Sequence, residues 1–147
     1  MLWLVHLFFL LAVTAYAAGD GRMRLDGAAY AKPNVDKAAA FFDSGYIPFL
    51  KVNLGKAEYE ALKKDPRKDT TCTVIEVGGT TYSNVAVHLK GTAGSFRQVD
   101  DRPAMTLDFG KADRNGFHGL DKLSLNNSVQ DGTLCNEYLG SLIFRTA

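Results

Sequence analysis

The stretch Val85-Ala86-Val87-His88-Leu89-Lys90-Gly91-Thr92-Ala93-Gly94-Ser95-Phe96-Arg97 runs an alternating strand into a short basic loop broken by two glycines. Val85, Val87 and Leu89 fall on one face of an extended segment and Ala86, His88 and Lys90 on the other, so the strand carries a lysine to its own end. In the loop, Gly91 and Gly94 let the backbone approach a ligand closely, Ser95 adds a hydroxyl, and Lys90 and Arg97 set a cation at each end. That combination suits an anion. A plain surface hairpin uses the same residue types, so the pattern fixes a strand and leaves the ligand open.

Outward from this strand the chain reads as alternating short elements. Thr71 to Val77 and Thr80 to Leu89 flank Gly78-Gly79, a strong hairpin signal. Upstream, Ile47 to Leu54 alternates as an edge strand with Pro48 near its start, and Lys56 to Lys64 has helix-forming composition stopped by Asp65-Pro66. Downstream, Met105, Leu107 and Phe109 alternate with Thr106 and Asp108, and Leu123 to Leu125 gives a further short strand. Residues 18–45 mix Gly, Ala, Asp and Lys without a steady period and read as a linker or entry segment, with a helical turn at Ala38 to Phe42. From Thr133 on, Leu134, Cys135, Tyr138, Leu139, Leu142 and Ile143 recur at helical spacing, with Asp131 or Thr133 as N-cap. No glycine, proline or polar tail ends that helix, so it reads as cut off, and its broad apolar face asks for cover from a further lobe or a partner. The class is α+β, with an antiparallel, strand-rich body closing on an apolar helix.

Leu2 to Ala15 is almost wholly apolar and is followed by Ala15-Tyr16-Ala17, the small-x-small form of a signal-peptidase site. The reading is a secretory signal over residues 1–17, with an uncleaved anchor as the alternative because no Lys or Arg precedes the apolar core. Cleavage leaves about 130 residues, one domain, with no membrane span of its own and a secreted, periplasmic or cell-envelope address. The 17 basic and 16 acidic side chains give a formal net charge of +1, which supplies no general attraction for nucleic acid. Cys72 and Cys135 either pair after export or stay as separate thiols, and neither has the spacing of a zinc ligand.

Several motifs occur in a fixed order: the strand and loop from Val85 to Arg97, then Asp101-Arg102-Pro103-Ala104-Met105-Thr106-Leu107-Asp108-Phe109, then Phe117-His118-Gly119-Leu120, then Leu125-Asn126-Asn127-Ser128-Val129-Gln130-Asp131, then Asn136-Glu137. In this order they resemble the amino-terminal half of the CotH kinase family, the spore-coat protein H-like secreted kinases, over roughly Pro48 to Ala147. The resemblance implies that residues 46–147 are the first lobe of a protein-kinase-like fold, that ATP is the cofactor, and that a secreted or cell-surface protein is the substrate. It also implies that the catalytic and metal-binding groups, with their Mg or Mn ion, belong to a second lobe, so no metal ligand is assigned here and this chain alone is at most a partial nucleotide site.

Phosphoryl transfer depends on a cradle for the phosphates, a cation on them, and an acidic residue on a neighbouring helix to hold that cation. The resemblance puts Lys90, Gly91, Gly94, Ser95 and Arg97 in the cradle and Glu137, the only glutamate of the last helix, in the acidic role. Many relatives resemble Lys-Lys-Pro-Leu-Lys-Leu-Asp-Phe in the strand that here carries Thr106, so either Arg102 or Lys90 takes the phosphate-gripping role or nucleotide binding is altered; Lys122 is a third candidate that reads first as a surface lysine. Turn formation and capping account for Asn126, Asn127 and Asp131, and His88 and His118 read as packed or surface residues. Two further readings remain: a secreted ligand-binding module using the glycine loop, and a structural coat protein that keeps the shape without transfer.

Overall fold

The computed structural model describes residues 35–112 and 115–146. Five strands, β1 (Leu50–Asn53), β2 (Thr70–Glu76), β3 (Thr81–Lys90), β4 (Ala104–Asp108) and β5 (Lys122–Leu125), form one antiparallel sheet in chain order, curled into a half-barrel. Three short helices accompany it: α1 (Val35–Asp43), α2 (Lys56–Lys64) and α3 (Asn136–Thr146). The α+β class is therefore observed. The secretory signal expected at residues 1–17 lies outside the described residues, and among those described no helix is long and apolar enough to cross a membrane.

Alternation sets the register. Val85, Val87 and Leu89 of β3 are buried and pack with Cys72 and Val74 of β2, Met105 and Leu107 of β4, and Leu123 and Leu125 of β5. A shift of one residue in any strand would turn this set to the other face. Leu62 of α2 and Phe41 of α1 enter the same core. Phe117 lies edge-on to Phe41 at 5.5 Å and tilted against Phe109 at 5.4 Å, and its truncation to alanine would cost about 3–5 kcal/mol.

Several bounds differ from the sequence reading. β1 begins at Leu50, because Ile47 is exposed and Pro48 has no N–H for a ladder, although Val77 N–H still reaches Phe49 O at 2.9 Å. The segment read as a linker holds a nine-residue helix, α1, longer than the turn expected at Ala38 to Phe42. Helix α3 starts at Asn136 rather than Thr133, since Leu134 takes a positive φ of 60° that breaks a helix there. Asp131 nonetheless caps it from upstream. Its carboxylate accepts from Asn136 N–H at 2.9 Å and from Thr133 N–H at 3.1 Å, which helps hold Asp131 below the usual carboxylate range, with the Thr133 hydroxyl the largest contribution. Tyr138, Leu139, Leu142, Ile143 and Phe144 of α3 are exposed.

Both cysteines are free thiols, Cys72 buried and Cys135 exposed. His118 is packed, stacking on Phe41 at 4.7 Å while its Nε2 lies 3.0 Å from both oxygens of the buried Glu76. This contact closes the end of the sheet where β2 turns into β3. Lys90 leaves from the other end.

Candidate functional site

The polar face of the sheet carries Ala86, His88 and Lys90 on β3, Ala104, Thr106 and Asp108 on β4, and Lys122 and Ser124 on β5. Its pairings run His88 to Thr106 to Ser124, and Lys90 to Ala104. Because Ala104 offers only a methyl opposite Lys90, the lysine stem has room to pass over β4, and its Nζ donates to Ser124 Oγ at 2.6 Å. On the same face His88 Nδ1 and Lys111 Nζ meet Asp69 at 2.8 and 2.7 Å, and these partners, Lys111 first, hold the Asp69 carboxyl below its ordinary range.

At the end of β3 the surface opens into a cleft of about 490 Å³, within the range of small-ligand sites. Arg67, Lys90, Gly91 and Ser95 form one wall, and Asn126, Gln130, Asp131 and Glu137 the other. Burial pulls the Lys90 ammonium below the usual lysine range, and the charge of Glu137 partly restores it. Glu137 is itself held by Asn126, whose amide Nδ2 donates to Oε1. The cleft thus brings together a desolvated cation, a second cation and two carboxylates, Asp131 and Glu137.

Of the residues expected to bind a cofactor, Lys90, Gly91 and Ser95 line this cleft together with the expected acidic residue Glu137. Gly94, Arg97 and Arg102 are not among its lining residues. Gly94 backs onto the wall, where an added Cβ would lie 2.7 Å from Gln130 Nε2. Arg97 turns back into its own loop, donating to Phe96 O at 2.7 Å and Gly94 O at 3.2 Å and pairing with Asp101 at 3.6 Å. Arg102 is exposed, at a positive φ of 36°. Lys122, the third candidate cation, pairs with Asp108 at 3.1 Å.

The glycine loop is wired to itself and clamped from both sides. Thr92 N–H donates to Ser95 Oγ at 3.1 Å, and Thr92 O accepts from the N–H groups of Ser95 at 3.1 Å and Phe96 at 2.9 Å. Those amides close a turn instead of pointing into the cleft, so the anion-binding capacity of this wall resides in side chains. The buried Asn127 donates its Nδ2 to Ser95 O at 2.9 Å. From the other side Arg67 donates to Gly91 O, with its guanidinium 5.4 Å from the centre of the Phe96 ring.

Sequence reasoning missed Arg67, which follows the turn that ends α2. No local signal marks it: Arg67 reaches the cleft because the chain after α2 runs beside the end of β3, where Leu89 N–H bonds to Pro66 O at 2.8 Å outside the regular β2–β3 ladder. Ser124 was also passed over, as one serine in a short strand.

Among the described residues no group of three or more His, Cys, Asp or Glu side chains could hold a metal ion. Comparison of the chain with protein-family models, curated proteins and solved structures finds no match. The fold defines an α+β domain with a half-barrel sheet, and the chemistry of its cleft is what bears on function.

Proposed function

We propose that this chain is the nucleotide-phosphate lobe of a secreted kinase of the spore-coat protein H-like kind, and that Lys90 grips the phosphates of ATP. The observation that carries the reading is Lys90 itself: a part-buried ammonium in a cleft, drawn down by burial and supported by a helix carboxylate, Glu137. A strand lysine facing a helix glutamate is the arrangement by which a kinase lobe neutralises phosphate charge. Lys90 is also the candidate best placed to stand in for the missing lysine of the Thr106 strand. Its ammonium reaches Ser124, the cross-strand partner of Thr106, while Lys122 is paired elsewhere and Arg102 lies outside the cleft.

The charges of Lys90 and Arg67 on one wall suit phosphate, while the Ser95 hydroxyl is engaged by Thr92 within its own turn. They do not fit a divalent ion, and no step is assigned to one. By the resemblance, the metal and the groups that orient the acceptor hydroxyl would belong to a second lobe.

A secreted ligand-binding or structural coat module is the second reading. The closed turn at Thr92 to Phe96 favours it, because an open ring of amides would suit nucleotide phosphates better. Calorimetric titration with ATP separates the two. A kinase lobe binds ATP, and Lys90→Ala weakens binding by about 1.5–3 kcal/mol, roughly tenfold or more. Absence of ATP binding, or equal affinity in the variant, would leave the module reading in its place.

A further inference from the structure

Lys90 and Glu137 face the same cleft, yet each is bonded to a third residue: Lys90 Nζ to Ser124 Oγ at 2.6 Å, and Glu137 Oε1 to Asn126 Nδ2. Ser124 lies on β5 and Asn126 one residue past its end. Two residues of extended chain span about 6–7 Å and return side chains to the same face. Among the described residues no ion pair joins Lys90 to Glu137, yet the charge of Glu137 is felt at Lys90 across the part-buried cleft.

We propose that Asn126 is a positioning residue that holds Glu137 out of direct contact with Lys90, so that the lysine stays available to an anionic ligand. This rests on reading Lys90 as the anion-binding group. If Glu137 were released it would close on Lys90, the part-buried cation of the same cleft, and the resulting ion pair would compete with any incoming phosphate. Held where it is, the carboxylate offsets part of the burial effect on Lys90 without occupying its ammonium. Asn126 lines the cleft, and its proposed effect on the lysine runs through Glu137.

The test is a double-mutant cycle with two readouts, using inorganic pyrophosphate as the probe: its dissociation constant, and the titration of the Lys90 side chain followed by NMR. Asn126→Ala is expected to raise the Lys90 pKa and weaken pyrophosphate binding fivefold or more. In a Glu137→Gln background the same substitution should change both readouts by less than twofold, because there is no carboxylate left to release. A loss of equal size in both backgrounds would make Asn126 a merely structural turn residue and overturn the proposal, as would no change in either. Where Asn126→Ala fails to fold, Asn126→Ser keeps a polar turn residue too short to reach Glu137, and the same outcomes apply. Wild-type protein that ignores pyrophosphate, with the Lys90 titration still moving as described, would remove the anion-binding reading and retain the positioning role.

Discussion

Lys90 of β3 and Ser124 of β5 are joined by a 2.6 Å hydrogen bond across the full width of β4, made possible by the methyl of Ala104 opposite the lysine. A long side chain held flat over a strand loses rotamer freedom and part of its hydration. Such an arrangement is costly for stability alone. It makes sense where the ammonium is wanted at a fixed point.

That cost appears as a pH dependence. Burial, the larger influence, lowers the folded-state pKa of Lys90 below its unfolded value, with Glu137 opposing. The folded chain therefore binds fewer protons than the unfolded chain between the two values, and stability attributable to this group rises with pH across that window. Below the folded value the penalty is fully present. Lys90→Met removes the titration, so the stability of wild type relative to this variant should improve as pH rises through the window just below the ordinary lysine range. Thermal melts of both proteins over that range give the difference, and a flat or opposite trend would mean that Lys90 is not desolvated.

Much of the sheet is legible in the sequence because one rule, alternation around a tight turn, governs it. Val85, Val87 and Leu89 had to share a face, and Gly78-Gly79 had to fold β2 onto β3. The cleft is legible only in part. Lys90, Gly91, Ser95 and Glu137 stand out locally, but Arg67 lies in the turn after α2 and is brought to the cleft by a contact between Pro66 and Leu89 that no sequence spacing reveals. Arg97 looked equivalent to Lys90 by composition and differs because its guanidinium finds the carbonyls of Gly94 and Phe96 nearby. Asn126 and Asn127 have the composition of a turn, and nothing in spacing reveals that one anchors Glu137 and the other Ser95. Helix α1 was hidden because Phe41 is its one buried side chain among those described, too little to print a period.

The two cysteines should behave differently without any change of redox state. Burial pushes the Cys72 thiol up to about 12, so it carries almost no thiolate at neutral pH, whereas Cys135 is exposed. A thiol-reactive chromophore should label one site in the native protein, mapping to Cys135, and a second only after denaturant is added. Fast labelling of Cys72 in native protein would contradict its place in the core, and no labelling at all would indicate a disulfide.

Two glycines test how tightly the loop is built. Gly91 has φ +119°, and an added Cβ would lie 2.9 Å from Phe96 Cα, so Gly91→Ala must displace the loop and the Arg67 contact with it. A loss of about 1–3 kcal/mol is expected, together with weaker anion binding. Gly78, at φ +81°, has nothing within 4 Å, so Gly78→Ala meets backbone strain without a clash and should leave anion binding unchanged. Urea midpoints and pyrophosphate titrations on both variants make the comparison. Equal binding by wild type and Gly91→Ala would separate the loop from the ligand.

The basic residues near the cleft differ in geometry, and that difference predicts their ranking. Lys90 is part-buried in the cleft, and its hydrogen bond to Ser124 leaves two of three ammonium protons for other acceptors, so Lys90→Ala should weaken pyrophosphate binding tenfold or more. Arg67 lines the same wall with its guanidinium partly engaged by Gly91 O, and Arg67→Ala should have a smaller but measurable effect. Arg102 is exposed outside the cleft, and Lys122 is paired with Asp108 at 3.1 Å, so alanine at either position should change affinity by less than twofold. Raising the salt concentration should shrink the Arg67 effect more than the Lys90 effect, since exposed charges are screened more than part-buried ones. Calorimetry on the four variants at two ionic strengths reads the whole order. If Arg102→Ala proved as damaging as Lys90→Ala, the anion would have to bind on the exposed side of the Asp101–Arg102 turn, and the cleft would lose its role.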